Sequence, residues 1–159
     1  MNLTGATSTI TGNNTFNTLG LTRAGVQTLT FTAGSTQTVT NFTRNAGTEV
    51  KTLASSHPGQ VWFITKAGGG YINLDYLSIS RSTASPSTYT FYAGTHSTNG
   101  GNNSGWIFTA PTTPTVTVST PTHIHAEYAD GIGTITDKGA GNVNATSIGF
   151  DWGLVDGVW

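Results

Sequence analysis

The sequence predicts an all-β protein, and three observations predict it. Polar and apolar residues alternate in short runs, and clusters rich in Gly, Asn and Ser separate those runs. No window carries an apolar stripe at helical spacing without Gly, Thr or Asn interrupting it. Threonine supplies about a fifth of the chain, and its branched, stiff side chain suits a pleated surface better than a helix.

The alternating runs fall at 26–31 (VQTLTF), 38–42 (TVTNF), 61–64 (VWFI), 74–79 (LDYLSI), 88–92 (TYTFY), 115–118 (TVTV) and 147–152 (SIGFDW). Turn clusters lie between them: AGST, NAGT, SSHPGQ, KAGGG and STNGGNNSG. Apolar starts at Phe16, Leu29, Val39, Val50, Val61 and Ile72 are spaced by roughly 11 residues, as in all-β folds. The pattern Phe16-x-x-Leu19-x-Leu21-x-Arg23 matches Leu74-x-x-Leu77-x-Ile79-x-Arg81, and Val39-x-x-Phe42-x-Arg44 is a shortened echo. Such echoes suit a β-helix, in which each coil buries its apolar face on the next. The same spacing also suits an antiparallel sandwich. The β-helix-like reading is preferred, because repeats two strand lengths apart are what successive coils give.

A boundary is expected at 110–114 (APTTP), where two prolines lack backbone donors and favour an extended linker. Residues 1–109 then form a β-rich module closed by GGNNSGWIF, and 115–159 begin a different pattern.

Composition narrows function mainly by exclusion. Charged residues make up 8% of the chain and the net charge is −1. The six basic residues, Arg23, Arg44, Lys51, Lys66, Arg81 and Lys138, are scattered singly. They make no basic stripe for phosphates, so nucleic acid is not an expected partner. No stretch approaches the length of a membrane span, and no membrane partner is expected. There is no cysteine to staple the fold. The first residues, MNLTGATSTITGNNTF, lack the basic and apolar regions of a secretory signal. Yet the Thr-, Gly- and Asn-rich makeup is that of proteins working outside cells. A virion protein, made in the cytoplasm and released by lysis, reconciles the two, and a trimmed or recombinant start at Met1 would reconcile them equally well.

Residues that carry chemistry are few. His123 and His125 in THIHAE stand at i and i+2, one face of a strand, with Glu127 continuing it and Ile124 and Ala126 facing a core. They are the weak metal candidates, since imidazoles from one strand leave a tetrahedral site half empty. No cofactor is expected. Asp75, Asp130, Asp137, Asp151 and Asp156 are spread singly, and no pair carries a glycosidase motif. Asp130 and Asp137 sit in turn-like ADG and TDKG contexts that explain them as backbone caps. Ser78 and Ser80 lack a G-x-S-x-G setting. The run Gly68–Gly69–Gly70 reads as a turn, because no helix follows it to complete a phosphate cradle. No catalytic residue is assigned. The aromatics Trp62, Tyr71, Tyr76, Tyr89, Phe91 and Tyr92 have two uses, a sugar-stacking platform or packing. Packing is preferred, with Tyr89 and Phe91 inward and Tyr92 opposite. Sequons at Asn2, Asn13, Asn41, Asn102 and Asn144 are what chance gives in so Thr-rich a chain.

Two stretches carry a resemblance. Residues 74–108, LDYLSIS…TFYAGTHSTNGGNNSGWIF, resemble a module of large phage structural proteins and bacterial surface proteins. In it a D-Y-L strand precedes a Gly/Asn loop ending in N-x-G-W-I-F. Residues 115–153, TVTVST…GIGTITDKGAGNVNATSIGFDWG, are similar to the fibronectin-like or immunoglobulin-like modules repeated in phage tail and virion proteins. Such a sandwich takes about 100 residues, so 115–159 correspond to a partial unit of it.

The resemblance implies a non-enzymatic structural protein of a virus particle, a capsid decoration (cement) or tail-fibre component at the virion surface. Its partners would be copies of itself, preferably as a homotrimer, other virion proteins and a host-surface glycan. The alternative is a secreted filament or adhesin subunit at the cell surface that assembles by strand complementation or binds glycans. The closing residues FDWGLVDGVW fit either. Val143, Ile148, Phe150 and Trp152 alternate as a strand, and an exposed Trp costs roughly 1.5–3 kcal/mol against burial. Phe150, Trp152, Leu154, Val158 and Trp159 are therefore the expected assembly interface. They would be covered either by further residues of a trimmed chain, the preferred reading, or by a neighbouring subunit.

Overall fold

The computed structural model describes residues 1–110, 113, 115–125 and 130–137. The chain divides into two compact units, Met1–Pro111 and Thr112–Trp159. No helix occurs among the described residues.

The first unit is a stack of β coils. Strands β1 (Asn2–Leu3) and β2 (Thr7–Ile10) open it, followed by β3 (Asn14–Leu21) with β4 (Gln27–Phe31) and β5 (Thr36–Arg44) with β6 (Lys51–Ser55). Three-stranded coils come next: β7 (Trp62–Lys66), β8 (Tyr71–Asn73) and β9 (Leu77–Ile79), then β10 (Ser82–Ser85), β11 (Thr90–Tyr92) and β12 (Thr98–Asn99). Strand β13 (Trp106–Ile107) completes the unit. Three sheets result, ordered β1-β3-β5-β7-β10, β12-β9-β6-β4-β2 and β13-β11-β8. All their pairings are parallel. Parallel neighbours that are next-but-one or further in sequence are the signature of a β-solenoid-like arrangement, so the β-helix-like expectation holds and the sandwich alternative falls.

The coil length is uneven. Asn14 stacks on Gln37, 23 residues on; Lys51 stacks on Leu77, 26 on; Trp62 stacks on Ser82, 20 on. The echo of Phe16, Leu19 and Leu21 in Val39, Phe42 and Arg44 is in register, each residue pairing with its counterpart. The longer match is not. Leu77 and Ile79 stack on Lys51 and Leu53, in the other broad sheet from Leu19 and Leu21.

Inside, apolar residues stack coil on coil. Leu29, Leu53 and Ile79 form one fully buried column. Phe31 lies flat on Trp62, ring centroids 3.9 Å apart. Outside, the alternate residues form hydroxyl ladders. One runs Thr7–Thr28–Thr52–Ser78–Thr98 and the other Thr15–Thr38–Thr65–Ser85. Successive rungs lie about 4.8 Å apart, the spacing of paired strands.

Polarity and burial part company at the strand starts. Val26 and Val50 are exposed, whereas the next residues, Gln27 and Lys51, are buried. The expected placement of Tyr92 is also corrected: Phe91 and Tyr92 are both buried, so β11 shows no solvent-facing alternation there.

The second unit contributes an antiparallel pair, β14 (Thr115–Val118) and β15 (Gly133–Asp137), and a bridge between Thr122 and Asp130. The expected strand at 147–152 lies outside the described residues, as do Pro111, Thr112 and Pro114 of the boundary segment.

Candidate functional site

The richest grouping of polar chemistry lies at a corner of the first unit, and the strand path creates it. Thr36–Val39 of β5 pair with Phe63–Lys66 of β7, and Ala67 N–H then donates to Val39 O. Gly68, Gly69 and Gly70 follow, all with left-handed φ between 74° and 82°. Only glycine takes that conformation without cost, so the expected turn is confirmed. Beyond it, β8 pairs with β11 and no longer with β5. A cavity of about 330 Å³ opens where the two diverge, lined by Arg44, Asn73, Leu74, Asp75, Gly94, Thr95 and Ala110.

Asp75 organises this corner. Its Oδ1 accepts the backbone N–H of Tyr76 at 2.9 Å and that of His96 at 2.8 Å, and its Oδ2 lies 2.6 Å from His96 Nδ1. Two turns one coil apart are tied to one carboxylate. Tyr76 adopts φ 53°, a left-handed backbone that this double capping holds in place. Gly94, at φ 91°, is required here: a Cβ would collide with the Asp75 carboxylate and the Leu74 carbonyl. Burial pushes the Asp75 carboxyl up. The His96 side-chain bond, the two backbone N–H bonds and the imidazole charge outweigh it, and hold the carboxyl below its ordinary range.

Planar groups from three successive coils stack beside it. The Arg44 guanidinium lies over the Tyr76 ring, 5.4 Å from its centroid, and Tyr76 stacks on His96 at 4.7 Å and 5°. Arg44 is fixed by donating to Gly47 O at 2.9 Å and Glu49 O at 3.1 Å. Asp75 was visible in the sequence as an isolated carboxylate. Its partnership with His96, 21 residues away, carries no local signal.

The expected metal candidates lie in the second unit. His123 Nδ1 sits 2.9 Å from Asp130 Oδ2, at φ 48°, so Asp130 partners an imidazole as well as bridging Thr122. That left-handed residue breaks strand alternation, and Ile124 is exposed instead of facing a core. His125 follows in the same irregular segment, and Glu127 lies outside the described residues. Among the described residues no three His, Cys, Asp or Glu side chains gather where an ion would fit.

Of the aromatic candidates, Trp62, Phe91 and Tyr92 are buried and offer no face to a sugar, while Tyr89 packs half-buried on the core. Tyr71 remains exposed, and Tyr76 is half-buried in the stack. The assembly candidates Phe150, Trp152, Leu154, Val158 and Trp159 lie outside the described residues.

The chain matches no protein-family model, no curated protein and no solved structure. At the open cavity the Thr95 hydroxyl lies 3.4 Å from His96 Nδ1, the same ring nitrogen that faces Asp75 Oδ2 at 2.6 Å. Among the described residues Asp75 is the one carboxylate in the lining.

Proposed function

We propose that the chain is a non-enzymatic structural protein of a virus particle, a capsid decoration or tail-fibre component exposed at the virion surface. The observation that carries this reading is the pair of uncharged hydroxyl ladders on the two broad faces of the solenoid. Stacked parallel coils give a stiff rod, because every coil is buried on its neighbours. Faces of Thr and Ser without charge let rods pack closely on copies of themselves or on other virion proteins. The stretch that resembles phage modules, 74–108, supports it further. It supplies the last coils and includes Trp106, buried against Phe91. A terminal coil that seals the stack is what a solenoid needs.

In this reading the second unit is the start of an immunoglobulin- or fibronectin-like module, and Phe150, Trp152, Leu154, Val158 and Trp159 form contacts in a homotrimer. Electron cryo-microscopy of the native assembly tests it. Rods of this solenoid on a capsid or tail are expected, around a threefold axis.

One observation favours a secreted filament or adhesin subunit instead. Among the described residues strand β2 pairs on one side, with β4, and such an edge accepts a strand from a neighbour. Helical filaments on a cell surface, with β2 paired between subunits, would establish that reading and overturn the first.

A further inference from the structure

The cavity beside Asp75 has a composition that selects a ligand class. Its polar wall holds one guanidinium (Arg44), one carboxylate (Asp75), one carboxamide (Asn73) and one hydroxyl (Thr95). The two charges oppose each other, so the wall favours neither a cation nor an anion. It does offer donors and acceptors together, which is what adjacent hydroxyls of a sugar require. We propose that this cavity binds a single neutral pyranose unit of a glycan.

Three features support the assignment. An ionised carboxylate has about four acceptor positions, and three of those on Asp75 are taken by Tyr76 N–H, His96 N–H and His96 Nδ1. One acceptor position on Oδ2 is left for a ligand hydroxyl, on a group already held rigid. Asn73 is exposed at the end of β8 and its carboxamide has no hydrogen-bond partner among the described residues. It can donate to one ligand oxygen and accept from the next. Leu74, Gly94 and Ala110 supply the apolar part of the lining, against which ring C–H groups can rest. A volume of about 330 Å³ is at the low end of small-molecule sites, enough for one ring and not for an extended chain. Rigidity matters here, because a preformed site loses little freedom on binding. The assignment stands independently of whether the chain belongs to a virion or a cell surface.

The test is a titration of the ¹⁵N-labelled full chain, followed by amide chemical shifts. The probes are the methyl glycosides of glucose, galactose and mannose, with N-acetylneuraminic acid as an acidic comparator. Saturable shifts confined to residues 44, 73–76, 94–96 and 110 are expected with at least one neutral glycoside. Asn73→Ala, at an exposed strand end, should weaken that binding about tenfold, the loss of one or two hydrogen bonds. Thr95→Ala should weaken it less, with both variants keeping the wild-type spectrum elsewhere. No saturable shift with any neutral glycoside overturns the proposal. So does a response to the acidic sugar alone, or undiminished binding in both variants.

Discussion

Gln27 and Lys51 occupy the same position on adjacent coils, and each sends its side-chain nitrogen back to the corner of the coil before it. Gln27 Nε2 donates to the carbonyls of Leu3 and Gly5, both at 3.0 Å. Lys51 Nζ donates to those of Arg23 and Gly25, at 2.6 and 2.5 Å. A solenoid corner turns backbone carbonyls inward where no strand can pair with them. Each such group left unmet costs as much as a lost hydrogen bond. The two buried polar residues are therefore corner fasteners, and their partners are one coil back.

Lys51→Ala removes both bonds, orphans two carbonyls and leaves a cavity. A loss of about 3–5 kcal/mol is expected, the range of large truncations in a packed interior. Lys51→Met refills the volume without the donor and should lose less, about 1–3 kcal/mol. Urea unfolding of the three proteins measures both. Equal stability of Lys51→Met and wild type would show that the carbonyls find other partners.

The same lysine predicts an alkaline effect. Burial, first, and then the Arg44 and Arg23 charges push its pKa down, against an opposing pull from Glu49. The folded chain thus gives up this proton at a lower pH than the unfolded one. Between the lowered value and the ordinary one, about 10.4, the unfolded state holds more protons, so stability rises with pH. The stability difference between wild type and Lys51→Met should shift in favour of wild type as pH climbs through that window. A difference independent of pH would refute the shift.

Tyr92 offers a substitution in the opposite direction. Its side chain is fully buried and its hydroxyl has no hydrogen-bond partner among the described residues. Burial alone raises its pKa, with no charge opposing. Tyr92→Phe keeps the ring and removes an unpaired polar atom. Stability should stay level or rise by up to about 1 kcal/mol. A loss beyond that, in the same urea measurement, would reveal an ordered water or donor on the hydroxyl.

Acid should loosen the corner at Asp75. Its pKa is depressed in the folded chain, so its contribution is fully present above the ordinary carboxylate value, about 3.9. That contribution is lost as pH falls through the depressed one. Hydrogen exchange at the amides of Tyr76 and His96, which Asp75 caps, should quicken across that window relative to the rest of the core. In Asp75→Asn the two amides should be less protected at neutral pH and show no acid step. Acid-independent protection of both amides in wild type would remove Asp75 from this role.

Leu29 and Phe31 alternate with polar neighbours, and they are inward where alternation places them. Val39 and Phe42, three residues apart, are both buried, so the alternation breaks within β5. Val26 and Val50 begin their runs as apolar residues and yet face solvent, with Gln27 and Lys51 inside. A hydropathy pattern cannot show that, because what recruits the polar side chains is a set of carbonyls some 22 to 28 positions earlier. The repeat was legible between β3 and β5, where the coil length is 23. It misled between β3 and β9, because corners of unequal length put Leu77 and Ile79 on another sheet. The Asp75–His96 pair was not legible at all, since only the stacking of β8 on β11 brings those two corners together.

The end of the stack makes the last prediction. Trp106 on β13 is 9% exposed, meets Phe91 edge-on at 5.8 Å and 67°, and donates from Nε1 to Ser82 Oγ at 2.9 Å. Ser82 is itself buried, one coil earlier, and pairs with Trp62. The indole thus covers the last coil's apolar interior while its one polar atom reaches a hydroxyl fixed by the coil beneath. Trp106→Ala should cost about 3–5 kcal/mol as a buried aromatic truncation. Ser82→Ala should cost about 1–3 kcal/mol, because it leaves a buried N–H unmet. The two losses should not add, since removing the indole removes the group that needs the serine. Hydrogen exchange should then show β11 and β8 opening in Trp106→Ala while β3 and β5 keep their protection, as nearest-neighbour coupling in a solenoid requires. Uniform loss of protection across all coils would mean that the stack melts as one unit, with no separate closing coil.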